Sequence, residues 1–310
     1  MMSKLSFAYY PGCSLESSAK EYDVSTRKVA DILEVELIEI PDWSCCGASP
    51  AHTVDHLFAS AVAARNLAIV EEMGRDILVT PCPECLSAFK KAIYNMSKDD
   101  GFKKKVNSLL DKPFNLNVEA KSFLQILYED VGKENISKKV IKPLIGVNIV
   151  PYYGCLLTRP PDVAQFDDPE NPISMDTILE TIGANVPYFS YKLECCGAAY
   201  GVTKRRIVTK LSGDILKTAI ESGADAVAVA CPLCQQNLDL RQDQINRDQG
   251  FDFHIPILYI TQLMGLSFGL SASELMIDKH NVKSDHFLEK IEKGLKEKEK
   301  SEKESISSKN

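Results

Sequence analysis

The ten cysteines of this 310-residue chain fall into two sets of five in the same order. The first set is Cys13, Cys45, Cys46, Cys82 and Cys85, and the second is Cys155, Cys195, Cys196, Cys231 and Cys234. Subtracting the first set from the second gives offsets of 142, 150, 150, 149 and 149, with no cysteine left over. A repeat of about 150 residues is much too long for a solenoid and predicts two related domains.

The residues around the cysteines repeat as well. The segments "AYYPGC", "CCGAS" and "ILVTPCPEC" of the first half correspond to "PYYGC", "CCGAA" and "VAVACPLC" of the second. In each copy an apolar stretch ("LSFAYY", "IGVNIVPYY") predicts a buried strand, and a second short strand ("VELIEI", "NVPYFS") precedes Cys-Cys-Gly. Two segments with helical periodicity follow, "FASAVAARNLAIVEEMG" and "IVTKLSGDILKTAIESG", each closed by glycine.

The strands that follow these helices, "DILVTPC" and "DAVAVAC", are apolar enough to be buried on both faces. Strands that alternate with helices predict parallel βαβ units, so we expect a Rossmann-like, doubly wound α/β sheet in each half. Ligands of such sheets bind beyond the carboxyl ends of the strands. Because each cysteine motif follows a predicted strand, the five thiols of a half are expected to converge at one edge.

The boundary between the halves is placed in the polar segment 132–146, which carries Pro143. We therefore expect an N-terminal domain over 1–143, a C-terminal domain over 144–275, and a charged tail over 276–310. From Glu289 the tail holds six acidic residues and seven lysines among 22 residues, which predicts a frayed helix or disorder.

Composition excludes several classes of protein. The net charge is −7, and no basic cluster is interleaved with aromatic residues, which argues against a nucleic-acid partner. No apolar run is long enough to span a bilayer, and the segment "IPILYITQLMGLSFGL" is broken by proline and glycine, so it predicts a buried strand and helix. With no signal-peptide pattern, the protein is expected in the cytoplasm, where disulfides are rare.

Five thiols per half point to metal or redox chemistry rather than packing. A Cys-x-x-Cys pair alone is compatible with zinc, an iron–sulfur cluster or a thiol exchanger. A structural zinc site closes with four ligands and leaves one thiol idle, and a thioredoxin-like site leaves three unexplained. Adjacent cysteines reach one centre only if the backbone turns sharply, which Gly47 and Gly197 permit. The alternative is that only one cysteine of each adjacent pair binds the metal and that the other simply packs in the core.

The cysteine pattern resembles the duplicated cysteine-rich (CCG) domain family, and in particular the B subunits of heterodisulfide reductases. The likeness extends to "YYPGC", "YYGCLLTRPPDVAQFDDPENPISMDTILETIGA", "CPLCQQNLDLRQ" and "IPILYITQLMGLSFGL", and it covers about residues 4 to 272. This resemblance implies two pseudo-twofold-related CCG domains. It also implies one non-cubane 4Fe–4S cluster per half, the first held by Cys13, Cys45, Cys46, Cys82 and Cys85 and the second by Cys155, Cys195, Cys196, Cys231 and Cys234.

The resemblance further implies a catalytic subunit that cleaves or forms a disulfide between the two clusters, with one electron from each. The expected partners are a ferredoxin-like iron–sulfur subunit of the C type and a flavin and iron–sulfur subunit of the A type. The substrate would be a small disulfide or a lipoate-type carrier. CCG domains also occur in respiratory complexes, so an electron-relay subunit linked to quinone or to fumarate and succinate is the alternative.

Three residues outside the cysteine sets are candidates for lining a substrate pocket. Arg159 follows Cys155 closely and suits an anionic substrate group, or else a structural ion pair with Asp167 or Asp168. His52 and His56, spaced i, i+4, lie on one helical face, where surface or capping roles are the alternative.

Overall fold

The computed structural model describes residues 5–48, 50–201 and 203–307. They divide into two compact units, each assembled from non-contiguous segments. Unit 1 comprises Met1–Val131, Cys155–Pro172 and Ala230–Pro232, and unit 2 comprises Gly132–Gly154, Ile173–Val229 and Leu233–Asn310. Two short segments of the second repeat, around Cys155 and Cys231, therefore belong to unit 1.

Unit 1 is built on a four-stranded parallel sheet with strand order β2-β1-β3-β4. Its strands are β1 (Ser6–Tyr9), β2 (Glu36–Glu39), β3 (Ile77–Thr80) and β4 (Glu119–Ser122). Its helices are α1 (Gly12–Glu16), α2 (Lys20–Ile32), α3 (Pro50–Val54), α4 (His56–Glu72), α5 (Pro83–Lys98), α6 (Asp100–Asn107), α7 (Phe123–Ile126) and α9 (Pro161–Ala164), with a π-turn at Leu127–Val131. The parallel sheet predicted for this half is confirmed.

Unit 2 carries a three-stranded parallel sheet of order β5-β6-β7. Its strands are β5 (Ile149–Tyr152), β6 (Ala226–Val229) and β7 (Ile257–Tyr259). Its helices are α8 (Lys133–Lys139), α10 (Ser174–Thr181), α11 (Arg205–Glu221), α12 (Pro232–Asp239), α13 (Gln242–Gln249), α14 (Ile260–Ser267) and α15 (Asp285–Ser307), with 3-10 turns at Ala198–Tyr200 and Ile277–Lys279. All four residues of β6 are fully buried, as expected for a central strand.

One predicted strand is wrong. The segment "NVPYFS" forms no strand, and only Asn185 makes a single parallel bridge, to Asn148. Pro187 lacks the N–H that a strand ladder requires, so pairing does not continue beyond Asn185. The first half has a full strand at the matching place, β2, in register with β1 from Ser6↔Glu36 to Tyr9↔Glu39.

The two long helices that follow Cys-Cys-Gly are confirmed as α4 and α11. Asp55 caps the start of α4, where its carboxylate accepts hydrogen bonds from the N–H groups of Leu57 and Phe58. Gly74 and Gly223 follow the two helices with φ of +66° and +75°. Each glycine reverses the chain so that it enters the next strand, β3 or β6.

The C-terminal tail forms the helix α15 over Asp285–Ser307, and the first turns of this helix pack on the rest of unit 2. Phe287 and Ile291 are buried, and Gly294 lies against Gly146. Lys290 also pairs with Asp225 at 2.7 Å, directly before β6. Among the residues that the structure describes, no helix combines the length and the apolar character needed to cross a bilayer.

Candidate metal centre

The first thiol set lies at the carboxyl edge of the unit 1 sheet, as predicted. Cys13 is in α1 directly after β1, and the adjacent pair Cys45-Cys46 is in the loop after β2. Cys82 follows β3 and precedes α5, and Cys85 lies in the first turn of that helix. Three neighbouring parallel strands thus deliver all five cysteines of the first half to one edge.

Within this set the sulfurs of Cys46 and Cys85 are 3.1 Å apart. Contacts with Cys45 and then Cys85 lower the pKa of Cys46 to about 4, while the contact with Cys46 raises the pKa of Cys45. Cys82 in turn contacts Cys85, and Cys13 is near enough to act electrostatically on Cys45. A thiolate is the form that binds metal, so this crowding favours a cationic centre among the sulfurs.

The turn at Cys-Cys-Gly brings the two adjacent thiols into contact with each other. Gly47 has φ of +77°, and its N–H donates to Cys45 Sγ at 3.5 Å, while the next N–H, of Ala48, is directed at Cys46. The second copy repeats the turn. Gly197 has φ of +81° and donates to Cys195 Sγ at 3.3 Å, with Ala198 directed at Cys196. Successive N–H groups thus stabilise negative charge on both sulfurs.

A second pair of glycines makes room for the Cys-Pro-x-Cys sulfurs. A Cβ on Gly12 would lie 3.2 Å from Cys85 Sγ, and one on Gly154 would lie 3.1 Å from Cys234 Sγ. Both glycines have positive φ, +75° and +70°. The residue before the first cysteine of each set is therefore restricted to glycine by backbone conformation and by space.

The aromatic side chain of Tyr10 adjoins the first thiol set. The ring of Tyr10 packs edge-on against Trp43 and Phe89, with centroids 5.3 and 4.9 Å apart. Burial, and then the nearby Cys85, raise the pKa of Tyr10. Trp43 donates from Nε1 to the exposed side chain of Glu39 at 3.3 Å, so the polar edge of its ring is directed toward solvent.

The structure brings together three members of the second thiol set within unit 2. The sulfurs of Cys196 and Cys234 are 3.7 Å apart, and Cys195 adjoins them. Cys155 and Cys231 belong to unit 1. The exposure pattern of the first half recurs: Cys196 and Cys234 are buried like Cys46 and Cys85, whereas Cys195 is exposed like Cys45.

Arg159 lines an open recess of about 470 Å³ together with Cys155, Leu156, Pro160, Pro161, Pro169 and Glu170. Its guanidinium donates to the carbonyl of Pro169 at 2.6 Å and pairs with Glu170 at 3.0 Å. The recorded ionic partner is thus Glu170. Asp168 instead accepts hydrogen bonds from the N–H groups of Glu170 and Asn171.

The two histidine candidates lie in the helices after Cys-Cys-Gly. His56 opens α4 and is exposed. His52 lies in α3, and its side chain falls outside the described residues. Asp55 separates the two helices as the α4 cap, so the predicted shared helical face is broken between them.

Among the described residues, no three His, Cys, Asp or Glu side chains are gathered at the spacing of ligands around a single metal ion. An iron–sulfur cluster distributes its cysteines over several irons, so its ligands need not surround one point. The close sulfur pairs and the backbone N–H groups directed at cysteine sulfurs suit such a group. The residues present therefore fit an iron–sulfur cluster.

Sequence reasoning missed the role of two repeated residue types. The glycines before Cys13 and Cys155 and the tyrosines Tyr10 and Tyr152 stand in the repeated "YYPGC" and "YYGC". Their presence in both copies was the available signal. What they contact, the Cys-Pro-x-Cys sulfur and the Cys-Cys loop, depends on the tertiary fold.

A family model described as a cysteine-rich domain, CCG, matches residues 7–90 and 149–239. The 8-methylmenaquinol:fumarate reductase membrane anchor subunit of Wolinella succinogenes is 37% identical over 89% of this chain and 96% of its own. The B subunit of the ferredoxin/F420H2-dependent CoB-CoM heterodisulfide reductase of Methanosarcina acetivorans is 31% identical over 94% of this chain and 97% of its own.

A crystal structure of a hypothetical protein from Helicobacter pylori is also similar, with a TM-score of 0.70 and 13% identity. It matches 91% of this chain, which spans about half (53%) of that protein, and the likeness shows the fold alone. The family model and the two relatives that align over nearly their whole length show the family as well as the fold. This chain belongs to the cysteine-rich (CCG) domain family and is related within it to the B subunits of heterodisulfide reductases.

Proposed function

We propose that this chain is the subunit of a heterodisulfide reductase-type complex that cleaves or forms a disulfide, using two non-cubane 4Fe–4S clusters. The observation that carries the proposal is the gathering of the first five thiols at the carboxyl edge of one sheet, with Cys46 and Cys85 only 3.1 Å apart. The repetition of the Cys-Cys-Gly turn and of a close sulfur pair in the second half supports a second such site.

The cysteines that would hold the clusters are the two predicted sets of five. When bound, the clusters supply one electron each, and the disulfide takes up two electrons and two protons to give two thiols. The Gly47 and Gly197 turns hold the paired sulfurs and stabilise their negative charge. Buried thiols such as Cys46 and Cys85 are shielded from water, while exposed Cys45 and Cys195 mark a side open to a substrate.

Arg159 is the proposed anchor for an anionic part of the substrate. It shares its recess with Cys155, and the paired Glu170 is strongly exposed, with 83% of its side chain open to solvent. An exposed carboxylate of this kind is readily displaced by a sulfonate, phosphate or carboxylate, since surface ion pairs contribute little stability. Arg159 would then bind the substrate with the geometry that it now offers to Glu170.

The first experiment is iron analysis of the anaerobically purified chain. Two clusters require about eight irons per chain. Substituting Ser for Cys46 should remove about half of this iron, and the same change at Cys196 the other half. A chain that binds zinc and no iron would refute the proposal.

An electron-relay role is the second candidate, favoured by the similarity to the fumarate reductase subunit of Wolinella succinogenes. The two roles differ in whether a substrate reaches the clusters. Adding the CoB-CoM heterodisulfide to the reduced protein should change the paramagnetic spectrum of a catalytic subunit and leave that of a relay unchanged. A response to a menaquinol and none to the disulfide would assign the relay role.

A further inference from the structure

A buried side-chain amide contacts a cysteine sulfur in the second thiol set. In the second half Asn237 Nδ2 lies 3.5 Å from Cys196 Sγ and 3.3 Å from the carbonyl of the same residue. Asn237 is on α12, one turn after Cys234. It is 5% exposed, so water competes little for its amide.

Arg241, one turn further along the chain, fixes the orientation of this amide. Its Nε donates to Asn237 Oδ1 at 3.0 Å, and its Nη2 donates to the carbonyl of Gly201 at 2.8 Å. Because a guanidinium only donates, the Asn237 oxygen must face Arg241 and the NH2 group must face Cys196. The positive charge also polarises the amide, which strengthens its N–H as a donor.

The first half lacks this pair. With the offset of 149 that relates Cys85 to Cys234, Asn237 corresponds to Ala88 and Arg241 to Ala92. Asn66 supports the Cys-Cys loop of the first half, but its side chain bonds backbone atoms: it accepts from the N–H of Ser44 at 2.9 Å and donates to that residue's carbonyl at 3.2 Å.

Hydrogen bonds to cysteine sulfur and nearby positive charge are two of the means by which a protein sets the potential of an iron–sulfur cluster. Reduction adds negative charge that spreads onto the sulfurs, and a donor to sulfur stabilises the reduced form more than the oxidised form. Building on the proposed function, we infer that Asn237 and Arg241 raise the reduction potential of the second cluster above that of the first. Asn237 is a positioning residue that acts through Cys196.

This inequivalence bears on the order of electron uptake. The cluster with the higher reduction potential would be reduced first. The second cluster would therefore take up the first electron, and the first cluster would take up the next. The pKa of Cys196 is lowered, by Cys234 in the first place and also by Asn237, which agrees with an amide that favours charge on this sulfur.

The test is a redox titration of the anaerobic, iron-loaded full chain with dithionite, followed by electron paramagnetic resonance. N237A should lower the midpoint potential of one cluster only, changing its oxidised-to-reduced ratio at fixed potential by about three- to tenfold, where tenfold is 59 mV for one electron. N237D keeps the size and the Arg241 contact but donates no N–H, so it should shift the same cluster in the same direction and tests the idea if N237A folds poorly.

Two variants serve as matched controls. A88N places an amide at the corresponding position of the first half and should leave unchanged the potential of the cluster that N237A shifts. N66A removes an asparagine that bonds backbone atoms of the first Cys-Cys loop. It should therefore lower thermal stability without shifting the potential of one cluster selectively. Unchanged potentials in both Asn237 variants, or equal shifts of both clusters, would overturn the inference. A chain without iron would instead overturn the proposed function itself.

Discussion

The hydroxyl of Tyr10 donates a 2.8 Å hydrogen bond to the carbonyl of Ser44, the residue directly before the Cys45-Cys46 pair. The second copy makes the same bond, from Tyr152 to the carbonyl of Glu194 at 2.6 Å. Each tyrosine is fully buried, so these bonds tie the Cys-Cys loop to the end of the first strand of its own half. The duplication has thus kept a support for the thiols as well as the thiols themselves.

The first prediction concerns these tyrosines. Y10F or Y152F should lower the free energy of unfolding by about 0.5 to 1.5 kcal/mol, because each variant loses the hydrogen bond from the tyrosine hydroxyl to the Cys-Cys loop. The iron of the matching half should also be lost faster to a chelator. Urea unfolding and chelator kinetics measure the two effects. Y188F is the control, since Tyr188 is 84% exposed, and an equal effect in this variant would contradict the explanation.

The glycines before the first cysteine of each set give the second prediction. G12A and G154A should reduce the iron content of their own half. The added methyl group would lie only 3.2 Å from Cys85 Sγ or 3.1 Å from Cys234 Sγ, so it would press on a sulfur of the Cys-Pro-x-Cys motif. Iron analysis is the measurement.

The chain offers matched controls for backbone strain alone. Gly74 and Gly250 also have positive φ, yet a Cβ at either would meet nothing within 4 Å. G74A and G250A should therefore cost stability, about 1 kcal/mol each, without loss of iron. If they lose as much iron as G12A and G154A, contact with sulfur is not the cause.

Arg159 and Glu170 should act on substrate binding in opposite directions. R159M removes a charge-assisted bond worth about 1.5 to 3 kcal/mol and should raise KM for an anionic disulfide about tenfold or more, with little change in kcat. E170Q frees the guanidinium and should lower KM. Steady-state kinetics with the CoB-CoM heterodisulfide measures both. Parallel changes in the two variants would assign Arg159 a structural role.

A buried histidine predicts the pH dependence of stability. His280 lies between Gln235 and Gln262, at 2.6 Å from Nδ1 and 2.8 Å from Nε2, and burial lowers its pKa to about 4. An unfolded histidine has a pKa of about 6.5, so between pH 6.5 and 4 the unfolded chain binds a proton that the folded chain does not. The free energy of unfolding should therefore fall with decreasing pH across this window, by up to about 3 kcal/mol.

Urea unfolding at pH 7 and pH 5 measures this loss. H280Q should reduce it, because a glutamine does not titrate in this range. H254Q is the control, since His254 is strongly exposed, and it should retain the wild-type dependence. A wild-type slope in H280Q would place the titrating group elsewhere.

The attachment of α15 provides the last prediction. A Cβ on Gly294 would meet the carbonyl oxygen of Ile145 well inside contact distance, so G294A should lift the helix from unit 2. Limited proteolysis should then cut the chain near Gly294, and the free energy of unfolding should fall by about 1 to 3 kcal/mol. K296A, on the exposed charged part of the helix, is the control. Unchanged protease resistance in G294A would contradict the packing.

The sequence by itself determined where the thiols lie along the chain and which edge of the sheet receives the first set. Strong local signals explain this success: apolar strands end at Tyr9 and Thr80, shortly before Cys13 and Cys82, and glycines follow α4 and α11. The strand predicted at "NVPYFS" failed because its apolar pattern could not outweigh the missing N–H of Pro187.

Only the tertiary structure decided which groups meet. The partner of Arg159 is Glu170, eleven residues along the chain, and the sulfur of Cys196 meets an amide 41 residues away at Asn237. Such contacts depend on how helices and loops pack on the sheet, and a periodic pattern carries no information about that packing. The sequence thus specified the two matching sets of thiols, whereas the fold decided which side chains contact them.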